Sequence, residues 1–455
     1  MAATDDHPEG IFSLLDTDLY KLTMQCAILK FFPDVQVSYQ FTNRTPHMKL
    51  TKEAATWLQN QIAKLENITV TDEEISWLKK NCDYLNDSYL EYLRGFRLRP
   101  QEQVKLKFTP TGSGEVTDST PGDIDLSIHG IWTETILYEI PLLALTSEAY
   151  FKFVDKDWNH DGQVAKAKDK GERLLEAGCV FSEFGSRRRR DYKTHEMVVQ
   201  GLKEAQKEAE TNGKGWKGKL TGTSNVHMAM RFGIAPVGTV AHEWFMGIAA
   251  ITQNYAEANE QAMHYWIETF GRKLLIALTD TFGTPAFLRA FAKPAPKGAI
   301  NGELDWNEPT YAQVFTGVRQ DSGDPLEFVQ LMRTFYNSQA IKEPKTIVFS
   351  DSLNIDRCIK YKEATEKAHF TPSFGIGTFL TNDFLHLSKN EKSVPLNIVI
   401  KLSKANGHDA IKLSDDKGKN MGDDKLMRSV KEQVGYTEKT WVGGDEAHRW
   451  DKNDG

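Results

Sequence analysis

The chain has 455 residues, 40% hydrophobic and 26% charged, enough for two or three domains with buried cores. Its 56 Lys and Arg stand against 63 Asp and Glu, a net charge of -7 that argues against a nucleic-acid binder, whose affinity rests on neutralising phosphates. The four cysteines form no CxxC pair, which excludes a Cys-pair zinc site and a thioredoxin-like motif and predicts reduced, buried thiols. The start, MAATDDHPEG, lacks the basic-then-apolar order of a signal peptide, and no apolar run approaches the ~20 residues that span a bilayer. A soluble intracellular protein without a membrane partner is expected.

Residues 1–140 read as a mixed α+β module. A helix is expected within Ile11–Lys30, and Val35–Thr42 alternates apolar and polar residues as a half-buried strand does. Thr51–Leu65 places Ala55, Leu58, Ile62 and Leu65 on one helical stripe behind a Thr51 cap. Val104–Phe108 and Ile124–Ile131 read as further strands. From about residue 140 the rhythm changes to short apolar runs ending in polar, often Gly-containing tips. These are FSEFGSRRRR (181–190), TGTSN (221–225), GTVAHEW (238–244), LTDTFGT (278–284), VRQDSGDP (318–325), FSDSLN (349–354) and FGIGTFLTND (374–383). Amphipathic helices separate several of them, as in Leu326–Tyr336. Such strand-tip-helix units predict an irregular parallel β/α barrel over 141–402, with a doubly wound sheet as the alternative; either collects its chemistry at the strands' C-terminal tips. The apolar strand Leu396–Leu402 closes this half, and 403–455 is expected to rejoin the N-terminal domain.

No GxSxG elbow or HExxH helix occurs. GKGWKGKL (213–220) resembles a phosphate loop, but no apolar strand leads into it and Leu220 replaces the hydroxyl residue, so an exposed loop is expected. The tips themselves are rich in Gly, Ser and Thr, which bring N–H and O–H donors to phosphates. Asp321, Asp324 and Asp351 sit beside small residues, with room for a ribose diol or hydrated magnesium. In the run of four arginines, Arg187 is best placed to reach an anion, and Arg188 to Arg190 are expected on a solvated face. His242 follows a strand, and Asp280 at the next tip could fix its tautomer.

Together with LLDTDLYKLTM (14–24), these tips resemble nicotinate phosphoribosyltransferase, in its fungal and bacterial branch; the likeness runs in order to EAHRW (446–450). The resemblance implies an N-terminal α+β sandwich-like domain on an irregular α/β barrel. It implies transfer of phosphoribosyl from phosphoribosyl diphosphate to nicotinate, coupled to ATP hydrolysis through a phosphohistidine at His242, with Asp280 orienting the ring. Tyr20, Phe184, Thr239 and Arg319 are then expected around nicotinate. Arg187, Asp321, Asp351, Gly377 and Thr378 are expected on the phosphoribosyl side, and neutral Ser224 is expected to favour nicotinate over nicotinamide. Magnesium is an expected cofactor with unassigned ligands. A homodimer, a cytoplasmic location and residence also in the nucleus are compatible with the resemblance, which leaves open whether Tyr20 serves its own site or a partner's. The alternatives are a nicotinamide or quinolinate phosphoribosyltransferase and a catalytically silent barrel that binds NAD precursors.

Overall fold

The computed structural model describes residues 8–296, 309–416 and 419–437. Two sheets organise it. The N-terminal antiparallel sheet contains β1 (Gln36–Asn43), β2 (Leu50–Thr51), β3 (Val104–Pro110) and β4 (Pro121–Ile131). The parallel sheet contains β5 (Val180–Glu183), β6 (Lys219–Thr223), β7 (Ile276–Leu278), β8 (Gly317–Gln320), β9 (Thr346–Phe349) and β10 (Thr371–Ile376), in the order β6-β5-β10-β9-β8-β7. A small hairpin follows, β11 (Phe384–Leu385) with β12 (Lys392–Ser393), and then β13 (Ile398–Ala405) and β14 (His408–Asp409).

The early elements follow local pattern. In β1, Val37, Tyr39 and Phe41 are buried and their neighbours face outward, as the alternation predicts. The helix Lys52–Lys64 is capped by Thr51, whose side chain accepts from the Ala54 N–H. The helix within Ile11–Lys30 is shorter than the pattern suggests, spanning Leu19–Phe31.

Two features depart from the expected barrel. The strand ahead of GTVAHEW shrinks to one parallel bridge between Thr223 and Pro236, and this is where the barrel is irregular. The strand Leu396–Leu402, read as part of the barrel half, instead forms β13 and pairs antiparallel with β1, Tyr39 opposite Leu402 and Phe41 opposite Ile400. Its apolar side chains Ile398, Ile400 and Leu402 are part of the N-terminal core. The same core takes in the helix His242–Thr252, whose Trp244 lies against Trp132 and Trp266. Gly247 permits that contact, since a Cβ there would sit 2.2 Å from the Trp132 ring.

The arginine run is not a solvated face throughout: Arg189 and Arg190 are fully buried. Arg189 forms a fork-to-fork pair with buried Asp16, at 2.8 and 2.7 Å. Arg190 lies over the rings of Phe151 and Phe384 and donates to Ser393. Each cation has found an anion or π-faces that offset its lost hydration. The four cysteines are free and buried, and GKGWKGKL is an exposed loop with β6 beginning inside it. Residues 297–308 lie outside the described residues, as does EAHRW. Among the described residues, no helix is long and apolar enough to cross a membrane.

The Asp16–Arg189 pair gives a direct test of the fold. Arg189→Ala leaves Asp16 buried and uncompensated, and should cost about 3–5 kcal/mol in denaturant unfolding. Replacing both partners, D16L with R189M, should cost less than R189A alone; a larger loss in the double variant would contradict the reading.

Candidate functional site

The parallel strands deliver their tips to one rim. β5 ends in Phe184, Gly185 and Arg187; β6 in Ser224; β7 runs on to Asp280; β8 carries Arg319 and runs on to Asp321; β9 leads to Ser350 and Asp351; and β10 to Gly377 and Thr378. Tyr20, in the first turn of Leu19–Phe31, and His242, the first residue of its helix, come from the other side.

Three cavities meet here, and Arg187 and Arg319 line all three. The first, about 120 Å³, is walled by Tyr20, Phe184, Ser224 and Thr239. That is the scale of one six-membered ring, since a cavity of about 150 Å³ admits benzene. The second is framed by Ser350, Gly375, Gly377 and Thr378, a small-residue cradle suited to a phosphate. Gly375 is required there, because a Cβ would lie 2.3 Å from the Phe184 ring. The third contains His242, Asp321, Glu139 and Lys401. A larger cavity of about 470 Å³, between Phe282, Phe328, Leu331 and Tyr436, contains none of His242, Arg187 and Arg319.

His242 and Arg319 share one carboxylate. Asp321 Oδ2 lies 3.0 Å from His242 Nε2, and Asp321 Oδ1 accepts from Arg319 Nη2 at 2.8 Å and from Ser350 Oγ at 2.8 Å. Burial alone would raise the Asp321 pKa, but Arg319 and the histidine hold it well below the ordinary carboxylate range. The ring's other nitrogen meets Thr281 Oγ1 at 3.0 Å. Burial, assisted by the charge of Lys412, pushes the His242 pKa down to about 4. The imidazole is therefore neutral near pH 7, with one nitrogen holding a lone pair.

The orienting contact differs from expectation. Asp280 stands 3.7 Å from Nε2, outside hydrogen-bond reach, while Asp321 and Thr281 fix the ring. Asp280 Oδ2 is drawn away by the hydroxyls of Ser322, at 2.5 Å, and Ser414, at 3.3 Å. Among the described residues, buried Asp280 Oδ1 has no hydrogen-bond partner. His242, Asp280 and Asp321 each present one ligand atom within 4.8 Å of the others, which makes them a candidate cation site.

Other expected residues are placed as follows. Asp351 accepts from Lys419 Nζ at 2.7 Å, and its neighbours Ser350 and Ser352 line the phosphate cradle in its stead. Asp324 is a helix cap, accepting from the N–H groups of Leu326 and Glu327. TGTSN is spent internally: Thr223 donates to Glu183, Ser224 to Asp18, and Asn225 to Asp16. Tyr20 reaches the ring cavity from its own chain. The sequence reading missed Lys401, Lys412, Lys419, Glu139 and Asp18. Lys401 is the inward-turned cation of β13, and burial pushes its pKa down to about 7. Its signal was a lysine within an apolar strand, visible once that strand is assigned to the N-terminal sheet.

Comparison with known proteins agrees with this geometry. The family model described as the nicotinate phosphoribosyltransferase family matches residues 179–438, and the model of that family's N-terminal domain matches residues 15–147. The chain belongs to the nicotinate phosphoribosyltransferase family. A Schizosaccharomyces pombe relative is 48% identical over 427 residues, covering 93% of this chain and 98% of its own. The nicotinate phosphoribosyltransferase of Saccharomyces cerevisiae is 46% identical over 451 residues, covering 97% of this chain and 99% of its own. A crystal structure from Saccharomyces cerevisiae superposes with a TM-score of 0.86 at 43% identity, over 95% of this chain and all of that one. The parallel barrel and N-terminal domain are thus the family's fold.

The neutral imidazole is checked by NMR. In the metal-free protein, the His242 ring should titrate with a midpoint near pH 4, against about 6.5 for a free histidine. A midpoint near 6.5 would mean that the ring is solvated and the buried geometry wrong.

Proposed function

We propose that this chain transfers the phosphoribosyl group of phosphoribosyl diphosphate to nicotinate, giving nicotinate mononucleotide and diphosphate, with ATP hydrolysis coupled through phosphorylation of His242. One observation carries the reading: a ring-sized cavity, a glycine-lined phosphate cradle and a histidine-acid cluster open onto the same two arginines. Membership of the family supports it.

In this reading Tyr20 and Phe184 hold the pyridine ring, and Arg319 meets its carboxylate with the N–H groups left beside its bonds to Ser350 and Asp321. The 5-phosphate rests against the backbone and hydroxyl of Gly377 and Thr378. The pyridine nitrogen attacks the anomeric carbon as the bond to diphosphate breaks. It already has a lone pair, so no general base is needed. Arg187 and Lys401 face the departing diphosphate and offset its charge.

ATP acts at the third cavity. The lone-pair nitrogen of His242 forms a bond to the γ-phosphorus as the bond to ADP breaks, and Asp321 and Asp280 offset the positive charge left on the ring. Water later hydrolyses the phosphohistidine. Magnesium fits the donors present, because Asp280 Oδ1 is a hard, buried oxygen beside Asp321 with no hydrogen-bond partner among the described residues. When bound, the ion would offset phosphate charge; Asp280 and Asp321 would hold it, with the remaining positions filled by substrate oxygens and water.

Incubating the protein with magnesium, phosphoribosyl diphosphate and, separately, nicotinate, nicotinamide or quinolinate should give one new product by mass, nicotinate mononucleotide. Product only from another pyridine, or none from any, would overturn the reading. His242→Ala should abolish acid-labile, base-stable labelling by γ-labelled ATP and the ATP effect on nicotinate KM, while leaving some ATP-independent transfer. Histidine labelling that persists in this variant would defeat the coupling alone.

A further inference from the structure

Ser224 cannot serve the pyridine carboxylate as expected, because its only hydroxyl hydrogen goes to Asp18, at 2.7 Å. Asp18 is itself unusual for its place in the fold. It occupies the N-cap position of the helix Leu19–Phe31, where an aspartate ordinarily accepts a hydrogen bond from the first turn, yet its side chain makes no cap bond. It turns instead toward the ring cavity, which it lines beside Tyr20, Phe184 and Arg187. One oxygen, Oδ1, accepts from both Ser186, at 2.6 Å, and Ser224. The residue is 3% exposed, and both hydroxyls meet the same one of its two oxygens. A buried acid thus stands in the wall of a cavity read as taking a carboxylate.

Two carboxylates in one small cavity cannot both stay ionised cheaply; one proton shared between them removes the repulsion. The groups facing Asp18 do not remove the conflict. Arg187, from the turn after β5, favours the ionised form, as do the hydroxyls of Ser186 and Ser224; Glu183, at the end of β5, opposes it. Tyr20 flanks it on its own helix, and Arg319 enters the cavity from β8, where its Nε and Nη2 bonds to Ser350 and Asp321 leave N–H groups for the nicotinate carboxylate but do not reach Asp18. Burial outweighs the favourable partners and raises the Asp18 pKa, so a proton is within its reach.

We propose that Asp18 is a specificity-determining residue of the ring cavity, taking up a proton as the nicotinate carboxylate enters and donating a hydrogen bond to it from Oδ2. The proposal rests on the nicotinate reading and deepens it. Nicotinamide presents an NH2 donor in place of one carboxylate oxygen, and an ionised Asp18 can accept from it with no proton taken up. Selectivity then depends on pH. With Asp18 protonated in the complex, nicotinate affinity falls about tenfold for each pH unit above the Asp18 pKa of the free protein. Nicotinamide affinity lacks that fall.

The test compares nicotinate mononucleotide with nicotinamide mononucleotide, which share ribose and 5-phosphate, so their difference isolates the ring substituent. Each is titrated calorimetrically into the full chain, in HEPES and in Tris, across a pH series. The proton uptake of the nicotinate nucleotide should grow from zero to about one as pH rises through the Asp18 pKa, and should exceed that of the nicotinamide nucleotide by a clear margin. Asp18→Asn should abolish the margin while still binding the nicotinate nucleotide through its amide NH2. Ser224→Ala, which removes one donor to the ionised acid, should shift the profile to higher pH, a displacement that a merely structural role would not produce. A margin of zero at every pH, or the same margin in D18N, overturns the proposal. Failure of either nucleotide to bind, with no product formed, defeats the nicotinate reading itself.

Discussion

A single carboxylate, Asp321, holds the site together by serving an imidazole and a guanidinium at once. One oxygen takes the imidazole of His242 and the other takes the guanidinium of Arg319. Moving it would unhook the ring from Arg319, one of the two arginines that all three cavities share. The arrangement is stable because the acid is compensated on both sides, which a lone buried carboxylate could not be. Its consequence is chemical: a neutral imidazole, a charged arginine and a phosphate cradle are held in one water-poor region, where electrostatic contacts are stronger than in bulk solvent.

The N-terminal domain is part of this device. Fully buried Lys21 pairs with Glu139, at 2.6 Å, and with Glu243, the residue after His242. Glu243 also accepts from Tyr39 at 2.6 Å and from Trp132 at 2.8 Å. The helix that begins at His242 is therefore anchored by side chains from β1, from the turn after β4 and from the helix that carries Tyr20. β13 crosses back from the far end of the sequence and brings Lys401 to the same rim. The barrel supplies tips, and the N-terminal sheet supplies the wall against which they work.

Much of this was legible in the sequence where the signal is local. Period-two alternation located β1, the Thr51 cap marked its helix, and the Gly- and Asp-rich tips marked the rim. What could not be read was set by partners distant in sequence. Arg189 and Arg190 look like a solvated charge run until Asp16 and the rings of Phe151 and Phe384 are seen to enclose them. Asp280 and Asp321 are equally plausible partners for His242 from spacing alone, and only the competing hydroxyls of Ser322 and Ser414 separate them. Ser224 looked free to donate because Asp18, 206 residues earlier in the chain, gives no sign of reaching it.

In the proposed function, the three cavities lined by Arg187 and Arg319 form one binding site. A crystal structure of the chain soaked with nicotinate mononucleotide and magnesium tests this most directly. The pyridine ring is expected between Tyr20 and Phe184 and the phosphate against Gly377 and Thr378, with the anomeric carbon facing the cavity of His242. Density for the nucleotide in the larger cavity between Phe282 and Tyr436, with the arginine-lined cavities empty, would contradict it.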